Sequence, residues 1–414
     1  MGAKMTSQST VCARLWRGLS VSRSGKVSPC CAYSESVIDL TNESGQQILA
    51  SKALAELREK SLNGVELPGC SRCFEKERSG GSSMRQIYNK AYEIETTHRA
   101  EDKLKSANED VLLRSITITV GNLCNLKCRM CGPYSSSRIA ADPVHSAWYG
   151  TVKSIHDGKG IEDAYAKMLD GCDTLTHLQI SGGEPLIIPG VHNILQRLVE
   201  SGRAREIVVM MPTNCTGVKP KVLDLLSKFK EAHLRISMDG YGRGNEYIRF
   251  PSKWSEVVKT INVIRKLENS KLSIGFTLSA LNVFEISKTA LFGDELGIPF
   301  TFGIVHSPSY LSPRVLPKTT LEHAAATVDC AAKGVVASST RRELIAVSGL
   351  LRSFSSEERK LKDWSEFVAF TNQLDLSRSQ SFEAWLPDLA ASIGMVEGPW
   401  PNGPKRSGNA PACV

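Results

Sequence analysis

From about residue 111 onward the chain alternates between two periodicities. Short, β-rich apolar runs occur at Ser115–Val120, Thr174–Ile180, Glu206–Met211, His233–Met238, Leu272–Leu278 and Pro299–Val305. Between them lie stretches with helical spacing, among them Ile194–Glu200, Pro220–Lys230 and Trp254–Leu267. Strands alternating with helices in this way predict βαβ units and a parallel sheet. Six such units predict an α/β fold, a partial (β/α)6 barrel of the TIM type, over residues 111–310. Active groups of such a fold sit on loops at the C-terminal strand ends. Residues 1–88 read differently: they carry cysteines, few strand signals and one amphipathic helix near Gln47–Ser61. They are expected to form a separate small domain. Polar residues 89–110 read as a connecting helix or linker. Helical patterns at Leu321–Val328, Arg341–Phe354, Glu357–Leu374 and Ser381–Leu389 predict a helical extension over 311–394. The Pro/Gly-rich stretch 395–414 predicts a disordered tail. No internal repeat is visible.

Composition narrows this picture only slightly. The 414 residues are 41% hydrophobic and 23% charged, ordinary for a soluble globular chain. No run of about eighteen apolar residues is present, so no membrane span is expected. The net charge of +8 is diffuse, whereas nucleic-acid binding wants a dense basic stripe. Residues 1–30 hold Lys4, Arg14, Arg17, Arg23 and Lys26 with no acid before Glu35, the texture of a transit peptide. Cys12 and Cys30 lie within that stretch and would be lost with a cleaved leader. Met1-Gly2 with Thr6 also fits the short myristoylation pattern. Twelve cysteines are many, and their spacings are those of metal loops rather than of a disulfide scaffold. A reducing cytoplasm is therefore expected.

The chemistry concentrates just past the first predicted strand. Cys124, Cys128 and Cys131 form C-x3-C-x2-C in the run Val-Gly-Asn-Leu-Cys-Asn-Leu-Lys-Cys-Arg-Met-Cys. Three thiolates suit one 4Fe–4S cluster and leave one iron open to a small molecule. A structural zinc site would want four closed ligands, and no fourth cysteine or histidine stands nearby. The second strand runs into Ser181-Gly182-Gly183-Glu184-Pro185, where the glycines permit close backbone approach and the proline fixes the exit. The third leads to Thr213-Asn214-Cys215, and the fourth to Ser237-Met238-Asp239-Gly240, a polar pair at a strand end. Arg249 follows as a candidate carboxylate fork. Asn282 comes after the fifth strand and His306 after the sixth. Cys215 is placed either to donate a hydrogen atom at the barrel mouth or, the more ordinary role, to fill space in the core. Cys172, Cys330 and Cys413 have no partners at metal spacing.

This series resembles the radical S-adenosylmethionine (radical SAM) superfamily. The resemblance implies that Cys124, Cys128 and Cys131 hold a SAM-binding 4Fe–4S cluster. It implies that Gly182, Gly183, Glu184 and Pro185 meet the methionyl amino group. Ser237 and Asp239 then lie near the SAM ribose or the substrate, Arg249 pairs with the SAM carboxylate, and Asn282 contacts adenine or that carboxylate. Met130 occupies a position that is often aromatic in the family and stacks on adenine; a thioether can pack there instead.

A second resemblance covers the N-terminal segment. Cys12, Gly25 and Cys30 give C-x12-G-x4-C, and Cys70-Ser-Arg-Cys73 gives C-x2-C. Gly25-Lys-Val-Ser-Pro-Cys30 reads as a hairpin turn into a strand. The set is similar to the Twitch/SPASM auxiliary-cluster module, here ahead of the barrel, and Glu75, Glu77, Gly81, Ser83 and Arg85 continue its pattern. The resemblance implies an auxiliary 4Fe–4S cluster on Cys12, Cys30, Cys70 and Cys73, with Cys31 an alternative to Cys30. The same four thiolates suit a zinc ribbon, so iron-sulfur against zinc stays open here.

Together these features imply a radical SAM enzyme. Reduced flavodoxin or ferredoxin would supply electrons, and the substrate would be a peptide, protein side chain or small molecule. The alternatives are an RNA-modifying radical SAM enzyme and a non-catalytic iron–sulfur or zinc module.

Overall fold

The computed structural model describes residues 10–40, 43–78, 83–92, 111–150, 162–170 and 172–397. Most of the expected linker, the expected tail beyond residue 397, the first nine residues, Gly81 and Cys413 lie outside these. The described residues form two compact units. The first takes those up to Gly121 and those in 156–211 and 220–232; the second takes those in 122–155, 212–219 and from 233 on.

The first unit is built on strands β1 (Gly18–Val21), β2 (Lys26–Ser28), β3 (Ile38–Asp39), β4 (Ser115–Thr119), β5 (His177–Ser181) and β6 (Val208–Thr213). Their order is β3-β2-β1-β4-β5-β6. β1 runs parallel to β4 with Leu19 opposite Ile116. β4 and β5 are parallel with Ile118 opposite Ile180, and β5 and β6 are parallel with Leu178 opposite Val209. β-Branched and aliphatic side chains at these positions are buried, as the period-2 pattern requires. β2 folds back on β1 and β3 on β2, both antiparallel. The predicted hairpin turn closes with Gly25 at φ +77°. The helix Pro189–Glu200 starts with proline in its first turn. It buries Val191, Ile194, Leu195 and Leu198, one stripe at helical spacing.

Two features of this unit depart from the sequence pattern. β1 was hidden because four residues are too short to show a period, yet as a central strand it is buried throughout. The single helix expected at Gln47–Ser61 is two, Gly45–Ala50 and Lys52–Leu62. Ser51 is extended at ψ 152° and breaks the run. Ser44 and Gln47 form a reciprocal capping box that starts the first piece.

The second unit contains β7 (Glu231–Ser237), β8 (Ser270–Leu278) and β9 (Phe300–Ile304), with β8 and β9 parallel and Phe276 opposite Phe302. β4 to β9 are the six predicted strands, each matched within three residues at either end. Helices Trp254–Ile264 and Glu285–Glu295 follow β7 and β8. After β9 come Lys318–Gly334, Ser338–Ser355, Leu361–Arg378, Phe382–Trp385 and Pro387–Glu397, the expected helical extension. No helix among the described residues is long and apolar enough to cross a membrane.

Candidate metal centres

In the second unit Cys124 and Cys128 are buried and Cys131 is half-buried, gathered around Leu126. The loop that carries them has little regular structure, so side chains fix it. The Asn122 amide donates to the Pro133 carbonyl at 2.9 Å, and the Ser136 hydroxyl to the Leu126 carbonyl at 2.6 Å. The Cys131 amide closes a turn on the Cys128 carbonyl at 3.0 Å, and the Leu126 amide points at the Cys124 sulfur at 3.5 Å. Asn125 reaches the turn of the predicted Thr213-Asn214-Cys215 motif. It accepts from the Asn214 amide group at 2.9 Å and donates to Thr216 Oγ1 at 2.8 Å. The Lys127 and Arg129 amides donate to the Phe250 and Ile248 carbonyls at 2.6 and 2.8 Å.

Arg129, between the second and third cysteines, is the strongest fastening. Its guanidinium is fully buried and meets Asp375 Oδ1 at 2.5 Å. It also donates to Gln380 Oε1 at 3.0 Å and to the Tyr247 carbonyl at 3.1 Å, and lies 3.7 Å over the Tyr247 ring centre. Asp375 accepts in addition from the Tyr247 hydroxyl at 2.8 Å and from the Phe382 amide at 2.6 Å. Sequence reasoning passed over Asn125, Arg129, Tyr247 and Asp375. Only a charged residue inside a buried cysteine loop could have signalled the ion pair, and nothing pointed to its partner.

The electrostatics suit an anionic site. The Cys131 thiol donates to Cys128; this hydrogen bond outweighs burial and, with Arg249 nearby, pulls Cys128 below the usual thiol range. The same bond and burial push Cys131 up. Burial works against the charge of Arg249, but the Cys128 thiolate and the Asp239 carboxylate outweigh it and raise its pKa.

The predicted SAM-contacting residues of this unit are largely bonded to one another. Asp239 is buried, paired through Oδ2 with Arg249, and accepts the Thr277 amide on Oδ1 at 2.8 Å. Asn282 donates to the Asp239 carbonyl at 3.1 Å and to the Thr277 carbonyl at 2.9 Å, and accepts the Ser279 amide at 2.7 Å. Asp239 and Asn282 therefore tie the ends of β7 and β8, while Arg249 keeps a buried Nε without a hydrogen-bond partner. Ser237 and Met130 are half-buried. Cys215 is fully buried at φ 58°, and His306 is exposed.

In the first unit the Gly182-Gly183-Glu184-Pro185 turn follows β5. Gly182 has φ +106°, and a Cβ there would fall 2.7 Å from the carbonyl oxygens of Val120 and Gly121. Only glycine fits this backbone crossing. Glu184 is buried and caps the short turn Pro185–Ile187 by accepting the Leu186 amide at 3.3 Å.

The N-terminal cysteines of the same unit line one pocket: Cys12, Cys30, Cys70 and Cys73, beside Tyr33 and Arg85. Cys31 is exposed and lies off the lining. Gly69 lets the Tyr33 ring approach; a Cβ at Gly69 would come 2.3 Å from that ring. Glu77, Ser83 and Arg85 of the predicted pattern form a buried network. Glu77 accepts from both, Arg85 Nε at 3.1 Å, while Arg85 Nη1 reaches the Val11 carbonyl at 3.0 Å. Asn89 grips the same backbone at the Val11 carbonyl and the Ala13 amide, 2.9 and 2.7 Å. Cys12 is thus held from both sides. Burial, then the neighbouring Cys30, push the Cys12 thiol up to about 12. Burial, then Cys12, Cys30 and Cys73, do the same to Cys70. The four cysteines thus share one pocket lining, although among the described residues no group of three or more ligand side chains stands close enough to hold a metal ion as placed.

Two family models match stretches of the chain. A model described as the radical SAM superfamily matches residues 118–281, and one described as an iron–sulfur cluster-binding domain, SPASM, matches residues 12–74. The chain carries a radical SAM superfamily domain over residues 118–281. Its SPASM domain precedes the radical SAM domain in sequence, and both domains are of the iron–sulfur kind. Among solved structures, Streptococcus suis SuiB bound to S-adenosylmethionine is 14% identical, covering 75% of this chain and 67% of its own, with a TM-score of 0.39. SuiB bound to its precursor peptide SuiA is 15% identical, covering 63% and 58%, with a TM-score of 0.35. The radical S-adenosylmethionine methyltransferase TsrM from Kitasatospora setae is 10% identical, covering 68% and 61%, with a TM-score of 0.34. This chain thus spans 58% of SuiB in the peptide-bound structure. No curated protein matches the chain by sequence.

Proposed function

We propose that this protein is a SAM-cleaving enzyme that modifies a peptide or protein side chain. The observation that carries the reading is the coincidence of the radical SAM match with a buried loop presenting three cysteines at C-x3-C-x2-C spacing. When bound, a 4Fe–4S cluster and SAM supply one-electron cleavage of the S–C5′ bond to methionine and a 5′-deoxyadenosyl radical, which takes a hydrogen atom from substrate. The chain's own residues prepare for this. Cys124, Cys128 and Cys131 supply three thiolates, and Arg129 with Asp375 keeps their loop in one shape. Gly182 to Pro185, a turn whose Gly182 is required by the crossing of Val120 and Gly121, would meet the methionyl group. Arg249, held by Asp239, is a fixed fork for the SAM carboxylate. Cys12, Cys30, Cys70 and Cys73 hold an auxiliary cluster, closed by four thiolates, that passes electrons. The electron donor is a reduced flavodoxin or ferredoxin. The peptide or protein substrate rests on the Twitch/SPASM resemblance, whose members most often act on such chains.

The test is anaerobic reconstitution with iron and sulfide, then dithionite and SAM. The wild type is expected to release 5′-deoxyadenosine and the Cys128→Ser variant none. No product from a wild type holding about four or more irons per chain would refute the reading. Mass-shift screening of candidate peptides under the same conditions tests the substrate class.

A further inference from the structure

Strands β7, β8 and β9 present two unlike faces. On one, Leu234, Ile236, Ile274, Phe276 and Phe300 are buried, and Ile274 Cδ1 lies against Gly293 of the helix Glu285–Glu295. On the other stand Arg235 and Ser237 of β7, Gly275 and Thr277 of β8, and Thr301 and Gly303 of β9. Gly275 is opposite Thr301, and Thr277 is opposite Gly303. The Arg235 side chain shows which way this face points. It lies across Gly275, where a Cβ would collide with its Nε, and its Nη2 comes within 3.4 Å of Thr301 Oγ1. Parallel strands joined by helices are normally covered on both faces. Arg235 stands in mid-strand, yet it is exposed. Thr301 is its sole hydrogen-bond partner among the described residues, and it makes no ion pair with any of them. Gly303 adds room beside it, since a Cβ there would meet nothing. β7 runs on from Arg235 through Ser237, about 7 Å further along the strand, to Asp239 and its partner Arg249.

We propose that Arg235 anchors the substrate through a carboxylate, so that the peptides taken by this chain carry a free carboxylate on an acidic side chain or at the C-terminus. The inference deepens the peptide reading above and rests on it. A planar guanidinium pairs with a carboxylate through two parallel hydrogen bonds. Gly275 lets that plane lie close to the sheet, and Thr301 fixes one edge of it. The charge is not already matched by a carboxylate among the described residues, so a ligand can supply the match. A lone guanidinium suits the single charge of a carboxylate, whereas a phosphorylated peptide calls for a cluster of arginines.

The probe is a pool of N-acetylated pentapeptides in matched sets, a central Glu or Gln crossed with a free or amidated C-terminus. The pool is offered to the reconstituted full chain with SAM, and retained members are identified by ultrafiltration and mass spectrometry. The wild type should retain members bearing a carboxylate roughly tenfold over those with none. The Glu–Gln contrast reports a side-chain carboxylate, and the free–amidated contrast a terminal one. Arg235→Gln should lose the preference and Arg235→Lys should keep part of it. Gly275→Ala, which displaces the guanidinium without removing it, should weaken it. Iron content shows that each variant folds; should Arg235→Gln fail to hold iron, the wild type and Gly275→Ala decide. No preference in the wild type, or one that Arg235→Gln keeps, overturns the proposal. A wild type that holds its iron and releases no 5′-deoxyadenosine refutes the SAM-cleaving reading instead.

Discussion

A buried ion pair is one of the fastenings of the cysteine loop. Arg129 and Asp375 are separated by 246 positions, and both are almost wholly removed from water. Removing one partner leaves an uncompensated buried charge, which costs about 3–5 kcal/mol. Asp375→Ala should therefore lower the denaturation midpoint of the protein and reduce iron uptake at Cys124, Cys128 and Cys131. Iron analysis together with urea titration checks both effects. His145 gives a pH dependence of definite sign. Burial, reinforced by Arg378, lowers its folded-state pKa from 6.5 to about 3, so the unfolded chain binds the proton more readily. Stability is fully present above about pH 6.5 and falls as the pH drops toward 3. Stability curves across that window should steepen downward in the wild type and flatten in His145→Gln. Equal slopes would contradict the burial assignment.

Elements, more than residues, were legible in the sequence. The six strands β4 to β9 announce themselves because each is a short apolar run bounded by a turn, and the sheet buries those runs as read. β1 was not legible, because four residues cannot display a period. The central cysteines were legible as chemistry because Cys124, Cys128 and Cys131 fall within eight residues of one another. The support of the loop was not, because Asp375 comes from a helix far away in sequence whose pattern shows only which face is apolar. Asp239 and Asn282 illustrate the converse. Their type and place at strand ends suggested ligand contacts, yet their polar atoms fasten β7 to β8. The turn after β5 gives the element-scale prediction. Gly182→Ala forces a side chain into two carbonyl oxygens at a positive φ, a strain on the order of 1–3 kcal/mol. SAM affinity should fall about tenfold while the strands persist, measurable by equilibrium binding and circular dichroism. Unchanged affinity would show that this turn does not meet the ligand.

At the scale of the whole molecule, two cysteine sets in one chain imply two separable cofactors. The N-terminal set has its own supports in Glu77, Ser83, Arg85 and Asn89, and the central set has others in Arg129, Tyr247 and Asp375. Loss of one should spare the other. The reconstituted wild type is expected to bind about eight irons per chain, and the double variant Cys70→Ala, Cys73→Ala about four. Zinc in place of half the iron would turn the N-terminal centre into a ribbon. The C-terminal helices belong with the central set through Arg129, which bonds Asp375 and Gln380. The most direct test of the account is low-temperature EPR of the anaerobically reduced protein before and after addition of SAM. A radical SAM centre on Cys124, Cys128 and Cys131 predicts that SAM shifts the g-values of one reduced cluster signal, and that Cys128→Ser removes that signal. A reduced cluster spectrum indifferent to SAM would contradict it.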